Sequence, residues 1–524
     1  MPDTHRVVLV GMPASGKTTV GRILARRLGR PFVDIDDLVA QRLGVSVPDF
    51  IDARGERAFR DEESQAVKEA NAVPGAVIAT GGGTVLDPVN RWSLWEHSTV
   101  AWLDVPPDRL VRRLAADPVA RPTFQPYRRE TMARTLADRT FAYRSADVRV
   151  EASASPAAVA RELADLVGPR QSGKRLFDAD IPRNHPVGPE TTRLVMGVDH
   201  LSAAGLQGFF VIDRRLMKVA PQVMAALSPG TVLAVASGER AKRLRSVERV
   251  LEEMSRVGVE RGTPVIAVGG GTIGDLVGTA AALFARGMPL IHIPITWLAQ
   301  ADSAIGGKVA VDLGHAKNAA GAFWPPVAIF SELAALRTLP LASRRDGMAE
   351  CIKTGMIGDP VLWRLIEDRG LAALRRDEAS RYAIIERSAR LKLAICGRDP
   401  FETGERRTLN LGHTIGHALE IESGYRLKHG AAVALGMRAV AAISARRGAD
   451  PDLARRLDAL LGSLGYRLHH VFDDAVVRTA MQRDKKREAG RQRWILPMEI
   501  GRMVEVDDVS EREVSAALAA IRPR

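Results

Sequence analysis

The sequence predicts an α/β protein in two parts. Each part is organised round a parallel sheet, and the second continues into a mostly helical lobe. Three observations carry this. Short apolar runs alternate with helical stretches, the pattern of parallel strands joined by crossover helices. Two of those runs, Arg6–Val10 and Val265–Val268, lead into glycine-rich loops. From about Leu333 the apolar spacing becomes helical, in Ala- and Leu-rich amphipathic segments. At 524 residues the chain is too long for one hydrophobic core, so several domains are expected.

Taken in order, Arg6-Val-Val-Leu-Val10 reads as a buried strand, and the helix after its loop runs from about Lys17 to Leu28. Val77–Ala79 and Val100–Leu103 read as further strands with helices between them. Ser155–Val167 reads as a closing helix, with Ser155 as its cap and Pro156 in its first turn. Gly168–Arg175 reads as a linker, and Pro182, Pro186 and Pro189 prolong the irregular stretch. A second α/β region begins near Arg193, with strands at Phe209–Ile212 and Val265–Val268. The expected division is a domain at 1–167, a linker at 168–190, an α/β lobe at 191–332 and a helical lobe at 333–524, with a cleft between the last two. Val77-Ile-Ala-Thr-Gly-Gly-Gly-Thr84 and Val265-Ile-Ala-Val-Gly-Gly-Gly-Thr272 are alike while their flanks are not. Each reads as a buried strand ending in glycines that let backbone approach a ligand.

Composition narrows the partners. Lys and Arg number 75 against 62 Asp and Glu, a net charge of +13. Dense basic runs with interleaved aromatics are absent, so this charge points to phosphorylated small molecules and away from nucleic acid. No stretch approaches the roughly 20 apolar residues that cross a bilayer, and Met-Pro-Asp-Thr-His-Arg carries no apolar signal region. A cytoplasmic protein without a membrane partner is expected. With Cys351 and Cys396 alone, a disulfide framework or a multi-thiolate zinc site is excluded.

Gly11-Met-Pro-Ala14-Ser15-Gly16-Lys17-Thr18-Thr19 follows a strand and opens a helix. Its glycines let backbone N–H groups wrap phosphates, and the helix N-terminus favours their charge. Lys17 would reach the transferring phosphoryl group and the Thr18 hydroxyl would hold Mg²⁺, which makes Gly11, Ala14, Ser15, Gly16, Lys17, Thr18 and Thr19 candidate contacts of ATP with Mg²⁺. The loop does not name an acceptor. Asp34-Ile-Asp36 puts two carboxylates on one face if extended, or caps a helix before Leu38. Gly55-Glu-Arg-Ala-Phe-Arg60-Asp-Glu-Glu63 is an ordinary charged helix by itself, and Arg121-Pro122 and Arg139 are surface arginines taken singly.

In this order, with Gly81-Gly-Gly83 and Tyr143, these segments resemble shikimate kinase, a P-loop kinase of the nucleoside monophosphate kinase-like fold, over roughly residues 5–167. The resemblance implies that Asp36, Arg60, Gly82 and Arg139 hold shikimate, the arginine pair gripping its carboxylate. It places Asp34 near Mg²⁺ and the reacting hydroxyl, and Arg121 in a lid over the transferring phosphate. The family's Arg-Pro-Leu-Leu is Arg121-Pro-Thr-Phe124 here, and its Glu-Arg is Asp138-Arg139. Another small hydroxy-compound kinase, such as a gluconate kinase, is the competing reading.

In the second part, Gly269-Gly270-Gly271-Thr-Ile-Gly-Asp275 ends a strand and is a weak dinucleotide signal by itself. His413-Thr-Ile-Gly-His417 sets two imidazoles at i and i+4 on one helix face, His429 follows, and Glu350 is a plausible carboxylate partner. Imidazoles with a carboxylate suit Zn²⁺ with an open position for substrate oxygens. Lys308, Lys317, Lys353, Lys392, Arg406, Lys485 and Lys486 supply cations for an anionic substrate.

These motifs, with Ser237-Gly-Glu239-x-x-Lys242, Ala-Arg286-Gly, Ile-Pro-x-Thr296, Ala301-Asp302-Ser-x-Ile-Gly-Gly-Lys308, Lys317-Asn318, Met-Ala-Glu350-x-Ile-Lys353, Leu-Asn410 and Asp484-Lys-Lys486, resemble 3-dehydroquinate synthase over roughly residues 193–510. The resemblance implies an α/β NAD-binding lobe and an α-helical metal-binding lobe. It gives Glu350, His413 and His429 as ligands of Zn²⁺ (or Co²⁺), and His417 as a proton-transfer partner beside the substrate phosphate. Asp302, Lys308, Asn318, Lys353, Lys392, Arg406, Asn410 and Lys486 would hold substrate, with Lys308 and Lys353 near the chemistry. Asp213, Glu239, Lys242, Gly270, Gly271, Asp275, Thr296 and Lys317 would bind NAD⁺, and Arg286 would reach a neighbouring subunit's phosphate site in a homodimer. In this family NAD⁺ first oxidises an alcohol of 3-deoxy-D-arabino-heptulosonate 7-phosphate while the metal polarises that oxygen. Phosphate is then eliminated, the hydride returns, the ring opens and an aldol step closes the carbocycle. The family's Asp-Glu-x-Glu is Asp399-Pro-Phe-Glu402 here.

The expectation is a bifunctional enzyme of aromatic amino-acid biosynthesis. Its rivals are a different small-molecule kinase fused to another sugar-phosphate cyclase or a metal-dependent alcohol dehydrogenase, or a fusion with one inactive scaffold half.

Overall fold

The computed structural model describes residues 5–116, 127–168, 173–183, 185, 189–227, 231–314, 316–482, 487–488 and 491–523. It divides into two compact units, Met1–Ala179 with Leu194–Ala204, and Asp180–Arg193 with Gly205–Arg524.

The first unit holds strands β1 (Arg6–Val10), β2 (Phe32–Asp34), β3 (Val77–Ala79), β4 (Ser98–Asp104) and β5 (Val148–Glu151) in the order β2-β3-β1-β4-β5. All four pairings are parallel. Val7–Val10 and Val77–Ala79 are buried throughout, which is why they read as continuous apolar runs. The chain builds outward from β1 to β2 on one side and to β5 on the other. The crevice for a ligand therefore opens beyond the carboxyl end of β1, where Gly11–Thr18 lies. The helix Lys17–Leu28 has the expected bounds and ends on Gly29 in the left-handed conformation. The helix Pro156–Leu166 is capped by Ser155, whose hydroxyl accepts from the Ala158 amide.

The expected linker 168–190 is corrected. It contains strand β6 (Lys174–Pro182), and β7 (Thr191–Val198) follows. Mixed charge and a nearby cluster of prolines masked the strand in the sequence. Its fixed point is apolar: Leu176 and Phe177 are buried, and Phe177 packs on Phe141 with ring centroids 5.2 Å apart.

In the second unit β8 (Phe209–Asp213), β9 (Thr231–Val235), β10 (Val265–Gly269), β11 (Leu290–Pro294), β12 (Lys308–Leu313), β13 (Ala316–Phe323) and β14 (Ala328–Glu332) follow. Five of these run parallel in the order β14-β11-β10-β8-β9, while β12 and β13 form an antiparallel hairpin. Helices Leu244–Arg256 and Gly271–Leu283 cover the sheet through Val247, Val250, Met254, Leu276 and Val277. From Leu341 the described residues are mostly helical as expected, with two antiparallel hairpins, Arg487–Glu488 with Arg491–Gln492 and Trp494–Glu499 with Arg502–Val506.

Two close approaches in the helical lobe bring distant histidines together. A Cβ on Gly436 would lie 1.9 Å from the Gly412 carbonyl oxygen, so the helix His429–Arg446 touches the turn before His413. A Cβ on Gly430 would lie 2.3 Å from the Asp346 carbonyl oxygen, so the same helix starts against Leu341–Gly358, which carries Glu350. Side chains at those glycines would force the three elements apart.

Candidate active sites

In the first unit Gly11, Ala14 and Gly16 have φ of 147°, 61° and 95°, which wraps the loop and turns its amides inward. Gly16 caps the helix without a side chain, which leaves the first-turn amides to an anion. The buried Lys17 ammonium donates to the carbonyls of Gly11 (3.1 Å) and Met12 (3.0 Å). The Ser15 hydroxyl is buried without a partner among the described residues. An orphaned donor inside an amide-lined loop fits a phosphate. Thr19 follows on the exposed side of the helix.

Of the two readings of Asp34-Ile-Asp36, an extended face or a helix cap, the structure has the cap. Asp34 ends β2 and caps the helix Ile35–Leu43, accepting from the Asp36 amide at 3.0 Å. Its other oxygen accepts from the Thr18 hydroxyl at 2.7 Å, so the cap is also tied to the phosphate loop. Asp36, Arg60 and Arg139 converge on Gly81–Gly83. A Cβ on Gly81 would lie 2.6 Å from Asp36 Oδ1, one on Gly83 would lie 3.7 Å from Arg60 Nη1, and Arg139 donates to the Gly82 carbonyl at 2.8 Å. Tyr143 donates to the same carbonyl at 2.7 Å. Arg121 lies outside the described residues.

Sequence reasoning missed two neighbours. Buried Glu63 accepts from Arg60 (2.9 Å) and from the Thr84 hydroxyl (2.9 Å), and so sets the guanidinium. Its spacing of three from Arg60 on a helix was the available signal. Arg113 donates to the Ala14 and Ser15 carbonyls at 3.3 Å each, adding a cation at the loop. Nothing in its local sequence marks it.

In the second unit Gly270 caps the helix Gly271–Leu283 without a side chain. A Cβ on Gly270 would lie 3.1 Å from Thr296 Cγ2, and one on Gly271 2.7 Å from Ser303 Oγ. Around this cradle Lys242 pairs with Asp275 (2.5 Å) and bonds Asn318, while Lys317 lies 3.4 Å from Glu239. Burial raises the Asp275 carboxyl above its usual range despite Lys242. Asp213 ends β8 and accepts from the Arg215 amide at 2.9 Å. A glycine cradle at an uncapped helix start, with carboxylates beside it, fits a dinucleotide. Arg286 has φ of 66° in the turn after that helix.

Glu350, His413 and His429 meet as one candidate metal-binding group. Glu350 Oε1 lies 3.0 Å from His429 Nε2 and 3.6 Å from His413 Nε2. The His413 Nδ1 faces the Leu411 carbonyl at 3.0 Å and the His429 Nδ1 faces Glu420 at 3.4 Å, which turns both Nε2 atoms toward Glu350, where an ion would be held. In the metal-free protein burial works against charge on His429, yet bonds to Glu350 and Glu420 hold its pKa up at about 10. A half-buried imidazole set between two buried carboxylates fits a cation. His417, with its ring 5.1 Å from that of His413, stands outside this triad, although with Glu420 and His429 it forms a second possible group.

Buried Lys353 pairs with Glu350, and burial alone would lower it, but Glu350 and Asp302 hold it above its usual value. Burial would raise Asp302, but Lys392 at 2.8 Å and the nearby Lys353 bring it well below the carboxylate range. Lys308 pairs with Glu402, which also accepts from Asn410 at 2.7 Å, and burial lowers the Lys308 ammonium. Arg406 is buried and donates to the carbonyls of Pro400 (2.5 Å) and Gly306 (2.6 Å). Lys485 and Lys486 lie outside the described residues. Cys351 is buried, bonded by Trp297 Nε1 at 3.3 Å and pushed up to about 12 by burial, as an inert core thiol should be.

Comparison with known proteins assigns each half of the chain to a family. The shikimate kinase family model matches residues 13–167. Those of 3-dehydroquinate synthase match at 232–346 for the N-terminal part and 347–487 for the C-terminal part. The 3-dehydroquinate synthase of Xanthomonas campestris pv. campestris strain 8004 is 41% identical over 296 residues, covering 55% of this chain and 80% of that protein. That of Xylella fastidiosa strain M23 is 40% identical over 297 residues, with the same coverage of each chain. Among solved structures, the 2-epi-5-epi-valiolone synthase ValA of Streptomyces hygroscopicus subsp. jinggangensis 5008, with NAD⁺ and Zn²⁺ bound, is 28% identical with a TM-score of 0.60. It covers 65% of this chain and 99% of its own. The chain therefore belongs to the 3-dehydroquinate synthase family and carries a shikimate kinase domain ahead of it, a kinase and a synthase in one bifunctional enzyme.

Proposed function

We propose that the first unit transfers a phosphoryl group from ATP with Mg²⁺ to shikimate, giving shikimate 3-phosphate. The second converts 3-deoxy-D-arabino-heptulosonate 7-phosphate to 3-dehydroquinate with release of phosphate. The observation that carries the second activity is the meeting of Glu350, His413 and His429 beside Lys353, Asp302 and Lys392. Identity of 41% to 3-dehydroquinate synthases, against 28% to the valiolone synthase, favours the heptulosonate as substrate.

In the kinase, the amides of Gly11–Thr18 wrap the phosphates, and Lys17 turns from its carbonyl partners to a phosphoryl oxygen. Asp34 holds the Thr18 hydroxyl in place for Mg²⁺ and lies near the attacking hydroxyl. Asp36, Arg60 and Arg139 hold the acceptor, with the two guanidinium groups on its carboxylate. Arg121 closes over the transferring group.

In the synthase, bound Zn²⁺ or Co²⁺ supplies Lewis acidity and bound NAD⁺ a reversible hydride acceptor. Glu350, His413 and His429 would hold the metal. Asp213, Glu239, Lys242, Gly270, Gly271, Asp275, Thr296 and Lys317 would hold the dinucleotide. Asp302, Lys308, Asn318, Lys353, Lys392, Arg406, Asn410 and Lys486 fix the substrate oxygens, and His417 moves a proton beside its phosphate. Positioning so many oxygens lets one site carry several consecutive steps. The enzyme works in the cytoplasm as a homodimer, Arg286 reaching the partner's phosphate site.

The test is a pair of assays on the full chain, ADP formation with shikimate and phosphate release from the heptulosonate phosphate without net NADH. Lys17→Ala should lower the first by about 10²–10³-fold and spare the second. His429→Ala should do the reverse. A variant that leaves both activities untouched would sink the two-site reading.

A further inference from the structure

We propose that Glu420 is a positioning residue for the metal: it holds His429 with the Nε2 lone pair toward the ion, and Lys317 in turn holds Glu420. The inference rests on the reading of Glu350, His413 and His429 as the ligands.

The two imidazoles are oriented by different means. His413 opens its helix, and the Leu411 carbonyl just before it takes Nδ1 at 3.0 Å, so its own backbone sets the ring. His429 opens another helix after Lys428, and its Nδ1 faces a side chain, Glu420 Oε2, at 3.4 Å. An imidazole whose Nδ1–H is taken by a carboxylate is held in one tautomer and presents Nε2 as a stronger donor to a metal. That Nε2 already lies 3.0 Å from Glu350 Oε1.

Glu420 sits in the same helix as His413, two turns on, and is buried. A buried carboxylate needs its second oxygen satisfied as well. Lys317 does this from the β12–β13 hairpin, donating to Glu420 Oε1 at 3.0 Å. The same ammonium lies 3.4 Å from Glu239 and 5.8 Å from the Tyr425 ring centre, so it is fixed on several sides.

The competing role for Glu420 is direct ligation, since His417, Glu420 and His429 also lie close enough to share an ion. Geometry argues against it: Glu350 Oε1 faces the Nε2 of both His413 and His429, whereas Glu420 Oε2 faces the other ring nitrogen of His429, Nδ1, at 3.4 Å.

The test uses the full chain stripped of metal. Zinc affinity is read by competition with a chromogenic chelator, and site geometry by the visible spectrum of the Co²⁺ form. Glu420→Gln should weaken Zn²⁺ by about 10–100-fold and change the Co²⁺ spectrum, both read well below the lowered melting temperature expected when the buried Lys317 loses its partner. Glu420→Asp, which keeps the charge, should recover part of both. If the amide variant fails to fold, the Asp variant tests the same point through the spectrum. Lys317→Met should give a smaller loss in the same direction. His413→Ala separates the two readings. Unchanged zinc affinity there overturns the ligand set itself. A large loss there with none in Glu420→Gln overturns only the role of Glu420. Two ions per chain, with the second lost in Glu420→Gln, would make Glu420 a ligand and overturn the proposal.

Discussion

Asp399 accepts hydrogen bonds from the backbone amides of Thr403 (2.9 Å), Gly404 (2.7 Å) and Arg406 (3.0 Å), and so folds the turn that presents Glu402 and Arg406. Burial works against its charge, but those amides bring its carboxyl from 3.8 to about 2. Because the folded value lies below the unfolded one, the unfolded chain takes the proton first. The contribution to stability is therefore complete above about pH 4 and is lost as pH falls toward 2. Asp399→Asn turns an amide NH₂ toward backbone N–H groups. It should cost about 1–3 kcal/mol and raise KM for the phosphorylated substrate several-fold, with NAD⁺ affinity unchanged. Melting and steady-state kinetics check both, and an unaltered KM would separate this turn from substrate binding. The motif residues around it were legible because each belongs to a run with a chemical reason for its spacing. Glu63, Arg113 and Glu420 were not. Each is one charged residue on a helix, and only the fold shows that Glu63 holds Arg60 and that Glu420 faces His429.

Elements were legible where one signal dominated. The helix Lys17–Leu28 had its glycines at both ends, and the helix Pro156–Leu166 had Ser155 and Pro156 at its start. Asp34 and Asp36 do not share an extended face because Asp34 ends its strand and its side chain takes the Asp36 amide, which starts a helix there. The charged segment round Arg60 is also more than one helix. Val47–Asn71 is broken at Gly55, with φ of 82° and ψ of 159°, a conformation open only to glycine. The break sets the direction of the turns that carry Arg60 and Glu63. Gly55→Ala should therefore destabilise the first unit by about 1–3 kcal/mol. It should also raise KM for shikimate more than KM for ATP, whose loop lies on a different helix. Equal changes in both constants would show that the break does not aim Arg60.

At the scale of the whole chain the boundary was the least legible feature. Composition placed a linker at 168–190, because glycine, proline and mixed charge usually mark one. The first compact unit instead runs on to Ala179 and takes up Leu194–Ala204. Within that unit the continuation is built in. Lys174 pairs with Asp147 at 2.5 Å, buried Arg91 donates to the Leu176 carbonyl at 2.8 Å, and Phe177 packs on Phe141. A kinase fragment ending at residue 172 would lose all three. It would uncover Phe141 and leave the Arg91 guanidinium, which is also held by the Val85 carbonyl at 2.5 Å, short of a buried acceptor. Losing the apolar burial and that bond together should cost about 3–5 kcal/mol. Against a fragment ending at residue 204, the shorter one should melt roughly 10 °C lower, with shikimate KM little altered in whatever fraction is folded. Calorimetry of the two fragments decides it. Equal melting temperatures would mean that Lys174–Ala179 rests on the kinase without supporting it, and the boundary would return to where composition put it.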